Sequence, residues 1–337
     1  MSAHGGLTGP VEIVGVGLIG TSVALACRRA GLEVLLTDAS PEHLRTASGL
    51  GAGRPRHPDD EPRLVVVAVP PDHLGEAIRD ALDSAGPDTV VTDVGSHPMA
   101  GSERSGPLAA SASMFDGRPW AVCAHPDAAP DAVRCVVTLV ELCGATVVQL
   151  SPGDHDRAVA RTSHVPHLLA SLVAGTLTGA SAQHLALTGQ GVRDVTRVAA
   201  GDPTLYSQII GANAPAVREL LRDLRDRLDL ALDAVESRDR LGLESLLAQG
   251  VAGTRAIPGK HGGPPRPTVT VYVVVPDHPG ELARLFADAG DSGVNIEDVR
   301  IDHDPGRPVG LVELDVAEEL GEELLGALES RGWTAHR

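Results

Sequence analysis

Val11-Glu12-Ile13-Val14-Gly15-Val16-Gly17-Leu18-Ile19-Gly20 is the stretch from which the fold is read. A short β-branched run ends in Gly-x-Gly-x-x-Gly. Asp38 then closes the next apolar run, Val34-Leu35-Leu36. Strand, glycine turn, helix and distant acid in this register form a dinucleotide-binding βαβ unit. Gly15 permits the tight turn out of the strand, and Gly17 lets the backbone approach a pyrophosphate seated on the free N–H groups of the helix start. Gly20 brings helix and strand close. Leu18, Ile19, Val69 and Pro70 complete the expected lining. An acid at position 38 suits the free ribose hydroxyls of NAD and repels the extra phosphate of NADP.

Working outward, 337 residues suffice for two or three domains. Apolar residues make up 42% but aromatics only 2%, so the cores are built from Leu, Val and Ala. A net charge of −17 argues against a nucleic-acid surface. Cys27, Cys123, Cys135 and Cys143 have no C-x-x-C spacing and read as small buried hydrophobes; no metal site is expected. No signal peptide and no membrane span are seen, and the expected location is cytoplasmic.

Residues 9–150 alternate short strands (11–15, 33–37, 64–69, 89–93, 119–124, 145–149) with helices (21–29, 73–82, 130–142), which describes a Rossmann-like α/β domain. Residues 151–250 carry helical spacing alone. Leu168, Leu169 and Leu172 share one face, as do Leu220, Leu224 and Leu228, and such helices commonly pack across a homodimer interface. Residues 251–267, rich in Gly and Pro, read as a linker. Residues 268–337 follow the order βαββαβ of a ferredoxin-like α+β module.

Polar signatures gather in the middle of the chain. Asp93-Val94-Gly95-Ser96 ends a strand and runs directly into His97-Pro98-Met99-Ala100-Gly101. A histidine at the carboxyl end of a parallel sheet lies where such folds bind ligands and suits a general base; a loop or cap histidine is the plainer alternative. His164 and His167 stand three apart on one helix face, as site residues or as packing histidines. Arg197 is a cation in an acidic chain, but a lone surface arginine is common.

Together these stretches resemble the prephenate and arogenate dehydrogenase family, in its actinobacterial form with a C-terminal ACT domain. The resemblance rests on GVGLIG, VVAVPP, TDVGS, HPMAGSERSGPLA, HDRAVARTSHVPH, GQGVRDVTRVAAGDPTLY and PGKHG, and on DHPGELARLFADAGDSGVNIEDVRI near the C-terminus. It implies NAD-dependent oxidation of prephenate to 4-hydroxyphenylpyruvate with loss of CO2. His97 corresponds to the family's base, Arg197 to the arginine that grips a substrate carboxylate, and Ser96 to the serine beside the hydroxyl and nicotinamide. His164 and His167 correspond to the pair lining the cleft. Arogenate is the alternative substrate. A catalytically silent amino-acid-binding homologue is a second alternative, because the helix and strand that the family carries between that serine and histidine are absent here. The resemblance also implies tyrosine as an inhibitor held between paired ACT domains. Asp277-His278-Pro279-Gly280 makes a turn leading into a helix, where free backbone N–H groups can meet a carboxylate, and Gly293 and Asn295 open the facing strand.

Overall fold

The computed structural model describes residues 7–94, 106–258, 267–303 and 309–337. Two compact units divide after Asp226, and each is described by itself.

The first unit begins with β1 (Val11–Val14), α1 (Leu18–Arg29), β2 (Val34–Thr37), α2 (Pro41–Gly49), β3 (Arg54–Pro55), β4 (Leu64–Val67), α3 (Pro71–Ser84) and β5 (Val90–Asp93). All five strands pair in parallel in the order β3-β2-β1-β4-β5. β4 is buried at every position, as a strand covered on both faces must be. Val11, Ile13, Val34, Leu36 and Val66 face a core that includes Val23 and Ala24 of α1 and Ala47 of α2. Val65 and Val67 face Ala81 of α3 on the other side. The chain order reverses between β1 and β4, so a crevice opens at the carboxyl ends of these strands.

Local chemistry explains the element bounds. α1 starts at Leu18 rather than at the expected Thr21, because Gly17 already serves as its N-cap. β4 stops at Val67, two residues short of expectation, and Pro70-Pro71, which lack N–H groups, turn the chain into α3. Proline in the first turn opens α2 and α3, and the Ser40 hydroxyl accepts a hydrogen bond from His43 N–H at the start of α2.

After β5 come β6 (Pro119–Val122), α4 (Pro130–Leu142) and β7 (Thr146–Gln149). β6 and β7 pair in parallel as a separate two-stranded sheet. Cys135, Leu139 and Cys143 nonetheless join the core formed by β1 and α1. Among the described residues β6 pairs with β7 and not with β5. The sheet is therefore interrupted between the strands that flank Ser96 and His97.

A helical stretch follows: α5 (Pro152–Val159), α6 (Val165–Gly175), α7 (Ala182–Leu185), α8 (Gln190–Thr196), α9 (Pro203–Ala212), α10 (Ala214–Glu236) and α11 (Arg240–Arg255). A π turn, Ala160–His164, joins α5 to α6, with Val165 N–H bonding back to the Ala160 carbonyl. Pro166 has no N–H to continue the α ladder at this point, so the wider turn costs little. Val165 and Ala160 pack on Val217, Leu220 and Leu224. Leu172 (59% exposed) and Leu228 (68%) depart from the simple reading of their stripes: each leaves apolar surface outside the core of one chain.

The second unit, from Arg227 onward, holds the end of α10, then α11, β8 (Thr268–Pro276), α12 (Glu281–Asp291), β9 (Ile296–His303), β10 (Val309–Ala317), α13 (Gly321–Ser330) and β11 (Thr334–His336). The four strands pair antiparallel in the order β11-β8-β10-β9, the ferredoxin-like arrangement. Val271, Val273, Val312 and Leu314 alternate inward and pack on Leu285, Leu324 and Leu328. β9 begins at Ile296, so Gly293 and Asn295 precede the strand rather than open it. Among the described residues no helix is long and apolar enough to cross a membrane.

Candidate functional site

The crevice starts at Gly15, whose φ of +92° carries the chain sharply out of β1. A Cβ there would lie 2.8 Å from the Val69 side chain, which brings the loop after β4 into the same corner. A Cβ on Gly20 would strike the Gly15 carbonyl oxygen, so α1 packs closely on the turn only because residue 20 is glycine. Gly17 is different: a Cβ built on it meets nothing within 4 Å among the described residues. Among the described residues no side chain caps α1. The first N–H groups of α1, from Leu18 onward, thus stand at the positive end of a helix without a side-chain partner among the described residues, a place suited to a phosphate.

Asp38 closes the far side. One carboxylate oxygen accepts a hydrogen bond from Val16 N–H at 2.7 Å, and the other accepts one from Ser40 N–H at 2.7 Å. The His43 ring is 4.0 Å away. The acid is thus fixed across the glycine turn, where a ribose joined to a phosphate on α1 would come. Pro70 caps α3 at the end of β4. Open Gly17, an uncapped helix and a fixed acid fit a dinucleotide.

One acidic and one basic side chain beside Thr37, the residue before Asp38, form a pair that the sequence reading did not include. Glu12 lies in β1 and is 1% exposed. Its carboxylate accepts a hydrogen bond from the Thr37 hydroxyl at 2.8 Å and is ion-paired with the Arg56 guanidinium at 3.0 Å. The signal was available as an acid inside an otherwise apolar strand; its partner, 44 residues on, was not.

The helical part of the first unit supplies a second cluster. His164 closes the π turn and is buried, its Nδ1 3.2 Å from the Asn213 side-chain nitrogen. That amide also donates to the Asp156 carbonyl at 2.8 Å. His167, also buried, stacks on Tyr206 with ring centroids 3.3 Å apart and planes 10° from parallel. Gly201 makes room, since a Cβ there would lie 2.9 Å from the His167 ring. The His167 Nδ1 is buried with no hydrogen-bond partner among the described residues, and burial holds its pKa below the ordinary histidine value. Both histidines therefore face α9 and its C-cap. Tyr206 and Gly201 were missed because the stack spans 39 residues of chain with no local pattern.

Arg197 begins a short 3-10 turn, Arg197–Ala200, that packs on α6. It is exposed and forms no ion pair among the described residues. Ser96 and His97 lie outside the described residues. The strand leading to them ends at Asp93, whose carboxyl desolvation holds above the usual carboxylate range, against the smaller opposing effects of a backbone hydrogen bond and the His155 ring. Among the described residues no group of three or more His, Cys, Asp or Glu is placed to hold a metal ion. In the second unit, Asp277–Gly280 precedes α12 and Gly293 follows it. The 11-residue α12 lies between them, about 16 Å long.

Residues 151–249 match the family model "Prephenate dehydrogenase, dimerization domain", and residues 94–149 match "Prephenate dehydrogenase, nucleotide-binding domain". A probable prephenate dehydrogenase of Streptomyces niveus is 36% identical over 357 aligned positions, covering 96% of this chain and 98% of the relative. Those 357 positions exceed the 337 residues here, so the relative holds at least 20 residues with no counterpart in this chain. Among solved structures, a putative prephenate dehydrogenase from Corynebacterium glutamicum superposes with a TM-score of 0.65 at 26% identity, covering 75% of this chain and 91% of that one. Prephenate dehydrogenase from A. aeolicus, in complex with hydroxyphenyl propionate and NAD+, gives a TM-score of 0.67 at 24% identity over 74% of this chain and 98% of that one.

Proposed function

This chain belongs to the prephenate dehydrogenase family, and we propose that it oxidises prephenate with NAD, releasing 4-hydroxyphenylpyruvate, CO2 and NADH. The observation that carries the reading is the uncapped start of α1 beside open Gly17, with Asp38 fixed across the turn. NAD, when bound, supplies the acceptor for the C4 hydride. Gly15, Gly17, Leu18, Ile19 and Gly20 hold its pyrophosphate, Asp38 its ribose hydroxyls, and Val69 and Pro70 the wall nearer the nicotinamide. His97 takes the C4 hydroxyl proton, with Ser96 beside it. Arg197, with no carboxylate of its own to neutralise it among the described residues, binds a substrate carboxylate. His164 and His167 line the cleft, held by Asn213 and Tyr206. Aromatisation of the ring supplies the driving force, so the protein is asked mainly for alignment and one base.

Arogenate carries an amine in place of the side-chain keto group; Glu103, which lies outside the described residues, and Asp194 are the candidate carboxylates for it, and the reading here is prephenate. The apolar surface left by Leu172 and Leu228 supports a homodimer. The turn Asp277–Gly280 leading into α12 supports a tyrosine site completed by the ACT domain of a second copy.

The test is NADH formation by the purified protein, with kcat/KM compared for prephenate and arogenate. Turnover with prephenate that disappears in His97→Ala supports the assignment. Faster turnover of arogenate reverses the substrate. Cofactor binding with neither substrate turned over favours a silent homologue, the reading that the interrupted sheet around Ser96 and His97 supports.

A further inference from the structure

The edge of the sheet nearest Asp38 carries two arginines, and both are neutralised. Arg54 in β3 is ion-paired with Glu33 at 2.8 Å and with Asp60 at 2.6 Å, near the surface. Arg56 follows β3 and its backbone N–H donates to the Leu36 carbonyl at 3.0 Å. It therefore runs alongside Thr37, the residue before Asp38, about one strand spacing away. That places its guanidinium within side-chain reach of the ribose position. The guanidinium is instead drawn beneath the sheet to Glu12, where the carboxylate also takes the Thr37 hydroxyl.

Glu12 is an unusual residue for its place. It is paired in register with Leu35 and Val65 in the interior of a parallel sheet. A carboxylate buried to 1% exposure is retained only with a partner, and Arg56 is that partner. An apolar side chain would fill the strand position and leave the Arg56 charge at the adenosine end unopposed. Among the described residues, the charged side chains that follow Asp38 into α2 are Glu42, His43 and Arg45, and Arg56 comes from beside the neighbouring strand β3. Only Arg56 has its charge removed by a fully buried carboxylate.

Building on the NAD reading above, we propose that Glu12 is a cofactor-specificity residue: it holds Arg56 beneath the sheet and so withholds from a ribose 2′-phosphate the cation best placed to bind it. Asp38 then rejects NADP by repulsion, while Glu12 removes the attraction that would offset it. A 2′-phosphate pairs strongly with a freed guanidinium, because such charge-assisted bonds are bidentate and specific.

The experiment measures NAD and NADP dissociation constants by calorimetry for the wild type, Glu12→Gln, Glu12→Asp, Arg56→Gln and the Glu12→Gln/Arg56→Gln double variant, each checked for folding by circular dichroism. Glu12→Gln is expected to lower the Kd ratio of NADP to NAD about tenfold, mainly through tighter NADP. Glu12→Asp retracts the carboxylate by one methylene and shifts the ratio in the same direction by less. Arg56→Gln leaves the ratio within about twofold of wild type, and the double variant returns to it, because the freed cation is gone. A folded Glu12 variant with an unchanged ratio overturns the proposal. So does a double variant that keeps the relaxed ratio, or an Arg56→Gln variant that loses NAD affinity. A pair that merely supports the sheet weakens both cofactors together and leaves the ratio where it was. A wild type that binds neither cofactor removes the NAD reading itself, an outcome distinct from a wild type that binds NAD while its Glu12 variants keep the ratio.

Discussion

A single methyl group separates the roles of the three glycines in the first loop. At Gly20 a methyl strikes the Gly15 carbonyl, so Gly20→Ala is expected to cost about 2–3 kcal/mol of stability, read as a lower urea midpoint. At Gly17 the same methyl enters open space at an ordinary φ of −70°, so Gly17→Ala is expected to keep the wild-type midpoint. It stands where a pyrophosphate approaches, however, and NAD affinity is expected to fall about tenfold or more by titration. Equal loss of stability in the two variants would contradict this division. His167 supplies a pH dependence. Its neutral ring is stacked on Tyr206, and burial lowers its pKa below the unfolded value near 6.5. Below that pH the unfolded chain takes up a proton that the folded chain resists, so this residue's contribution to stability falls as pH drops from about 6.5 through the folded pKa. An NMR titration of the ring is expected to give a midpoint below 6.5, and His167→Gln is expected to flatten the acid side of the Tm–pH curve relative to wild type. A midpoint at or above 6.5 would sink the assignment.

Among the elements, helices were legible to within a turn: the ends at Arg29 and Leu142 fall where expected, while α1 and α3 begin at Leu18 and Pro71, before the expected 21 and 73. The helix over 130–142 has the bounds expected from its sequence, and Pro130 and Pro152 open their helices as first-turn prolines do. The π turn before Pro166 was not legible, since a proline in helical sequence signals a break, a kink or a shifted ladder alike. The interrupted sheet is the largest departure. A parallel sheet normally continues from strand to neighbouring strand, yet β6 and β7 stand apart from β5. The resemblance implies a helix and strand missing between Ser96 and His97, which would leave such an interruption, and the alignment with the Streptomyces niveus relative leaves at least 20 of its positions without a counterpart in this chain. Grafting the relative's segment into that position is expected to raise Tm, at about 2–4 °C for each kcal/mol regained, and to increase turnover of prephenate. A graft that leaves both unchanged would mean that the chain is already complete as a catalyst.

For the whole molecule, the C-terminal module is expected to regulate rather than to catalyse. A chain ending at Pro267 is expected to keep prephenate turnover within about twofold and to lose inhibition by tyrosine, because regulation through a second site is separable from chemistry. Inhibition that survives the truncation would place tyrosine in the active site as a product mimic. At this scale the sequence by itself determined the three kinds of architecture: the doubly covered parallel strands, the helical stretch after Ser151, and the βαββαβ order near the C-terminus. Each is a pattern of apolar spacing repeated over a few residues, and so is written locally. It also determined the glycine turn and its acid, because backbone geometry restricts those positions to particular residue types. Only the tertiary structure decided which groups meet across long separations. Glu12 finds Arg56 beside Thr37, His164 finds Asn213, His167 finds Tyr206, and β6 is left without β5 as its partner. A buried charge or ring is stabilised by whatever the completed packing brings beside it, and that neighbour is chosen by the fold rather than by the spacing of residues along the chain.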